Sequence, residues 1–77
     1  MKQILILGPG CRKCRTLATL CEQAAAEMNL DCAIEKVTDI VEITKFGVMM
    51  TPGLVVDGEV KLVGKVPPVE ELKKLIA

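Results

Sequence analysis

The chain contains no tryptophan and no tyrosine, and Phe46 is its single aromatic residue, so it offers no platform on which nucleobases could stack. Charge of one sign is missing too, because ten basic residues cancel ten acidic ones. Without a cationic footprint, nucleic-acid binding is not expected. Long hydrophobic runs are also absent. The opening Ile4-Leu5-Ile6-Leu7 is too short for a signal-peptide core, and no other segment approaches the length that crosses a membrane. Neither export nor membrane insertion is expected. The four cysteines then belong to a reducing, cytoplasmic setting, where a CxxC pair is more often catalytic or metal-binding than a structural staple. Linkers, repeats and low-complexity segments are missing as well, so residues 1–77 are expected to form one domain, and a monomer.

What is present is aliphatic. Half the residues are hydrophobic, nearly all of them Val, Ile, Leu and Ala, which describes a globular chain with a tightly patterned core. Gln3 to Leu7 is a continuous apolar run ended by Gly8-Pro9-Gly10, the pattern of a central strand buried on both faces. From Arg12 to Met28, Cys14, Leu17, Cys21, Ala24 and Met28 recur at three- and four-residue steps, which predicts an amphipathic helix. Asn29 suits a left-handed cap, and Asp31 to Val37 returns as a second strand, parallel to the first through a right-handed crossover.

Thr38 or Asp39 can cap a second helix with Ile40, Ile43 and Phe46 on one face and Gly47 closing it. Asp57-Gly58 between β-rich runs is a hairpin signal, and a two-residue turn pairs Val56 with Glu59, Val55 with Val60 and Leu54 with Lys61. The first arm reads as buried on both faces and the second as an edge. Pro67 and Pro68 open a last helix whose stripe is Val69, Leu72, Leu75 and Ile76. The fold class is therefore α/β, in the order β-α-β-α-β-β-α, with a four-stranded mixed sheet and helices on both faces.

Chemistry concentrates in Gly8-Pro9-Gly10-Cys11-Arg12-Lys13-Cys14, where two thiols sit at a strand-to-helix junction. A thiol at a helix start faces unsatisfied N–H groups and the positive dipole end, which favour thiolate, and Arg12 and Lys13 add to that field. Cys11 is the candidate nucleophile. Cys14, nearly one turn on, can reach the same sulfur and close a disulfide, which makes it the resolving candidate. The same two thiols could instead hold a soft metal ion of the Cu(I) or zinc type. A vestigial site in an interaction domain is a third reading. Cys21 lies about 10 Å along the helix from Cys14, at 1.5 Å per residue, and cannot join a metal site with it. Cys21 and Cys32 are expected to be small core or half-buried hydrophobes, and Met49 and Met50 to fill gaps in the aliphatic core, the alternative being a soft, adaptable contact surface beside the site.

These residues resemble the thioredoxin fold, and most closely the small prokaryotic thioredoxin-like proteins known as redox-active disulfide proteins. The features that carry the likeness are a strand running into Gly-x-Gly-Cys-x-x-Cys, the Thr51-Pro52-Gly53 loop, the Asp57-Gly58 hairpin, and a closing helix after Gly64-Lys65-Val66. The resemblance implies a thiol–disulfide oxidoreductase without a cofactor or metal, working on disulfide-containing protein substrates and re-reduced by an upstream thiol reductase. It further implies a cis Thr51-Pro52 bond against the cysteines, with neighbouring backbone available to an extended substrate segment. Gly10, Arg12, Lys13, Thr51 and Pro52 would then shape the site around Cys11 and Cys14. Two features depart from ordinary thioredoxins. No Trp precedes the motif and Arg12-Lys13 replaces Gly-Pro, and Leu5 stands where a buried acid usually assists the second thiol. The glutathione-binding residues of glutaredoxins have no evident match.

Overall fold

The computed structural model describes residues 2–10 and 12–77. In chain order the elements are β1 (Lys2–Leu7), α1 (Arg12–Glu27), β2 (Cys32–Val37), α2 (Ile40–Lys45), β3 (Gly53–Val56), β4 (Glu59–Val63) and α3 (Val69–Ile76). The four strands form one mixed sheet in the order β2-β1-β3-β4. β1 runs parallel to β2 and antiparallel to β3, and β4 is the antiparallel edge beside β3.

Alternation along β1 sorts the core into two halves. Ile4 and Ile6 face α1 and α3, where they pack with Leu17, Cys21, Leu54, Val56, Leu72 and Ile76. Leu7 and Val55 face α2, where Ile43 and Val48 close a smaller cluster against which Leu5, Val37 and Phe46 also pack. All four residues of β3 are buried, as a strand covered on both faces requires. The two helices on the larger face are further tied by Lys73 Nζ, 2.6 Å from Glu27 Oε1. That hydrogen bond pulls the Glu27 carboxyl below its usual range and lifts the Lys73 ammonium above its own.

Local chemistry explains where elements stop. Asn29 takes φ 53°, and the N–H groups of Asn29 and Leu30 reach back to Ala26 O at 3.1 Å and Ala25 O at 2.9 Å, a Schellman close to α1. Asp39 caps α2 by accepting from Val41 N at 2.9 Å. Pro68 is the N-cap of α3, one residue before the first helical turn, and Pro67 precedes it as a buried loop residue.

Two expectations about packing are corrected. The hairpin is not regular, because a bulge between Leu54 and Val55 pairs Leu54 with Leu62 instead of Lys61. The extra residue turns Leu62 to the face of Leu54 and Val56, where it packs on the larger core cluster, and leaves Lys61 exposed. Ile40 does not join Ile43 on a buried stripe. It is 64% exposed, because the short α2 after the Asp39 cap brings Ile43, and beyond its end Phe46, over the sheet but leaves its first residue outside.

The hairpin tip is pinned to the start of β1. Asp57 and Gly58 both have positive φ, at 50° and 83°, and Asp57 exchanges two bonds with Gln3. Its N–H donates to Gln3 O at 2.8 Å and its Oδ1 accepts from Gln3 N at 2.9 Å. Asp57→Ala should therefore cost about 1–2 kcal/mol, the sum of a lost hydrogen bond and a left-handed residue without a polar side chain. Asp57→Asn keeps both features and should stay within about 0.5 kcal/mol of the parent. Urea unfolding at constant m-value measures the difference; equal midpoints for the two variants would contradict the pinning role.

Candidate functional site

The site is built where β1 ends and β3 begins. Gly8 continues the β1–β2 ladder by donating to Val37 O at 2.9 Å. The chain then turns through exposed Pro9 and Gly10, whose φ of 94° lies in the left-handed region that glycine adopts without strain. α1 starts at Arg12, directly after position 11. Cys11, the expected nucleophile, lies outside the described residues. Cys14 is inside the first turn and only 5% exposed. Arg12 and Lys13, by contrast, are solvent-facing.

Cys14 lies against the backbone of Gly8. A Cβ added at Gly8 would collide with Cys14 Sγ, would stand 3.0 Å from Cys14 Cβ, and would lie 3.8 Å from Thr51 Cβ. Gly8, Cys14 and Thr51 are thus brought together from three parts of the chain. Thr51-Pro52 is a cis peptide bond, Pro52 is fully buried, and its carbonyl accepts from Gly64 N at 2.7 Å. Of the expected site residues, Gly10, Arg12, Lys13, Cys14, Thr51 and Pro52 therefore gather at one end of the sheet.

Gly8 is the residue that sequence reasoning missed. It reads as a strand terminator, and only its separation by six positions from a cysteine one helical turn into α1 hints at a closer approach. Met49 and Met50 are placed differently from expectation. They are 86% and 64% exposed beside Thr51, because the loop from Val48 buries Val48 and Pro52 and leaves the methionines outside. Leu5 packs against the α2-side cluster, and no polar or charged side chain is buried among the described residues. Among the described residues, the surroundings of Cys14 therefore hold no buried carboxylate.

Cys21 and Cys32 belong to the core. Cys21 is fully buried and Cys32 is half-buried against the same cluster. Burial pushes the Cys21 thiol up to about 12, with smaller contributions from Cys32 and Glu22. Below pH 9 both folded and unfolded thiols are protonated and the stability is whole. Between pH 9 and 12 the unfolded thiol ionises while the folded one stays neutral, so stability falls as pH rises through that window. Moving from about pH 8 to about pH 10 should cost the protein about 1.4 kcal/mol from this group, and Cys21→Ala should lack that loss. Urea titrations of both proteins at both pH values check it. Parallel losses would show that Cys21 does not titrate as its burial demands.

Among the described residues, no group of three or more Cys, Asp or Glu side chains is placed to hold a metal ion. Among the described residues, no helix is long and apolar enough to cross a membrane. Comparison with known proteins agrees with the frame. The family model for the thioredoxin domain matches residues 2–77. The chain is 38% identical over 77 residues to a protein named thioredoxin from Methanothermobacter thermautotrophicus, covering all of both chains. It is 40% identical over 74 residues to another protein named thioredoxin, from Methanocaldococcus jannaschii, covering 96% of this chain and 85% of the relative. Neither relative supports the soft-metal reading of the two thiols. A four-stranded mixed sheet with helices on both faces and a match along nearly the whole length place this chain in the thioredoxin family, as a small disulfide oxidoreductase.

Proposed function

We propose that the protein exchanges disulfides with partner proteins through Cys11 and Cys14, in the cytoplasm and as a monomer. The Cys11 thiolate attacks one sulfur of a partner cystine, forming a mixed disulfide and releasing the other partner sulfur as a thiolate that takes a proton. Cys14, deprotonated, then attacks Cys11 Sγ. This second exchange forms the Cys11–Cys14 disulfide and frees the partner's remaining thiol, so the partner gains two electrons and two protons. An upstream thiol reductase returns them.

The observation that carries the division of roles is the burial of Cys14, 5% exposed and packed on Gly8. A folded partner cannot reach that sulfur first. Position 11 adjoins the first turn of α1, whose cations Arg12 and Lys13 favour a nearby thiolate. Gly10, Thr51 and Pro52 contribute the surrounding surface.

Trapping tests the assignment. Cys14→Ser should accumulate mixed disulfides with cellular proteins that a dithiol reductant releases, and the released proteins identify the substrates. Cys11→Ser should trap none. The reverse pattern would exchange the two roles, and absence of any trapped partner from both variants would remove the proposed function.

A further inference from the structure

The charge pattern of α1 is the reverse of what a helix prefers. Arg12, Lys13 and Arg15 crowd its positive end, with no acid in the first turn and no base in the last. Each such cation opposes the macrodipole by about 0.3–1 kcal/mol when exposed. α3 follows the opposite and favourable rule, with Glu70 and Glu71 first and Lys73 and Lys74 last. The chain therefore does not place charges along helices at random.

The three cations are also uncompensated. All three are exposed, and among the described residues none forms an ion pair. Since the whole chain is neutral, the balancing acid must lie elsewhere. Acids elsewhere are engaged, Glu27, Glu42, Asp57 and Glu59 in ion pairs and Asp39 in the cap of α2.

Two surface hollows lie near the site, one along α1 and one beside Pro9. On the α1 side runs a shallow groove lined by Arg12, Arg15, Thr16, Thr19 and Leu20. On the α2 side lies an apolar one whose walls include Pro9, Ile40, Met49 and Thr51. One flank is cationic and the other greasy. With no aromatic residue on either, a polyanion that binds by base stacking is a poor occupant, whereas a protein carboxylate cluster beside an apolar segment fits both.

We propose that the Arg12-Lys13-Arg15 flank selects disulfide partners that carry acidic residues next to the reacting cystine. The proposal rests on the thiol-exchange reading of Cys11 and Cys14. Carboxylates of the partner dock along α1, which raises the encounter rate and orients the cystine toward the site. Such attraction acts over about 30 Å at 0.01 M salt and about 3 Å at 1 M, so the selection is a low-salt rate effect.

The test compares three matched peptide disulfides with acidic, neutral and basic flanks. At about 10 mM salt the acidic peptide should be reduced roughly five- to tenfold faster than the neutral one, and the gap should close to less than about twofold near 1 M. Arg15→Glu, which places an acid where the helix favours one, should cut the acidic preference at least about threefold while leaving the neutral peptide within about twofold. Arg15→Lys should keep the preference. Reduction of all three peptides at equal rates, or a preference that survives Arg15→Glu, would overturn the docking proposal alone. Failure to reduce any of the three removes the thiol-exchange reading, and the proposal with it. Tight binding of a single-stranded oligonucleotide that Arg15→Glu abolishes would assign the flank to nucleic acid instead.

Discussion

Turnover of a protein disulfide should fall on the order of a thousandfold or more when Cys11 is replaced by serine, because a hydroxyl is not measurably ionised at neutral pH and cannot displace a sulfur. Cys14→Ser should behave differently in kind. Its first exchange with the partner should proceed within a few-fold of the parent rate, since the attacking thiolate is intact. The reaction should then stop at one mixed disulfide per molecule until an external thiol releases it. Burial of Cys14 is what separates the two outcomes, for a sulfur 5% exposed resolves an intramolecular bond but does not meet an incoming partner. A single-turnover burst resolved from the steady state measures both steps. Oxidised parent protein should weigh about 2 Da less than reduced protein, and neither variant should show that change from this pair. Equal steady-state rates for parent and Cys11→Ser would place the chemistry elsewhere in the molecule.

The ends of elements were legible because each is set by a residue whose own chemistry decides it. Asn29 accepts the left-handed conformation, Asp39 supplies a cap oxygen, and Asp57-Gly58 supplies two positive φ angles. Periodicity gave the buried face of α1, where Cys14, Leu17, Cys21 and Ala24 are all buried. The bulge in β4 was not legible. It depends on Leu62 reaching the cluster of Leu54 and Leu72, and nothing within the Glu59–Val63 run states that a residue should be skipped. Ile40, Met49 and Met50 misled for a related reason. Apolar character says that a side chain can be buried, but whether a neighbour arrives to cover it is a property of the assembled fold.

The candidate site divides the same way. CxxC announces its chemistry through spacing alone, whereas the part played by Gly8 exists only once β1, α1 and the Thr51 loop have met. Leu5 illustrates the limit from the other side. Its identity shows that an acid is missing, and the structure adds that the site end of the sheet has a purely apolar interior among the described residues.

Gly8→Ala should damage fold and chemistry together. The backbone at Gly8 has no positive φ, so an alanine is tolerated conformationally and the cost is one of space. The new methyl meets Cys14 Sγ inside contact distance and Cys14 Cβ at 3.0 Å. Cys14 cannot retreat as a surface side chain would, because Leu17, Ala18 and Cys21 behind it seat α1 on the sheet. Either the first turn of α1 shifts or the sulfur rotates away from its place. Overpacking of this kind costs about 1–3 kcal/mol. Displacing the resolving thiol should also slow release of the mixed disulfide by about tenfold or more, while formation of that intermediate is spared. A double-mutant cycle isolates the contact. In a Cys14→Ala background the sulfur is gone, and Gly8→Ala should lose about 1 kcal/mol or more of its cost, leaving the tight Cβ contact. Gly10→Ala serves as the contrast. It meets nothing within 4 Å but is strained at φ 94°, so its penalty of about 1–2 kcal/mol should be unchanged by removing the Cys14 sulfur. If Gly8→Ala and Gly10→Ala respond alike to Cys14→Ala, the close approach of Gly8 to the thiol is not what makes glycine necessary at that position.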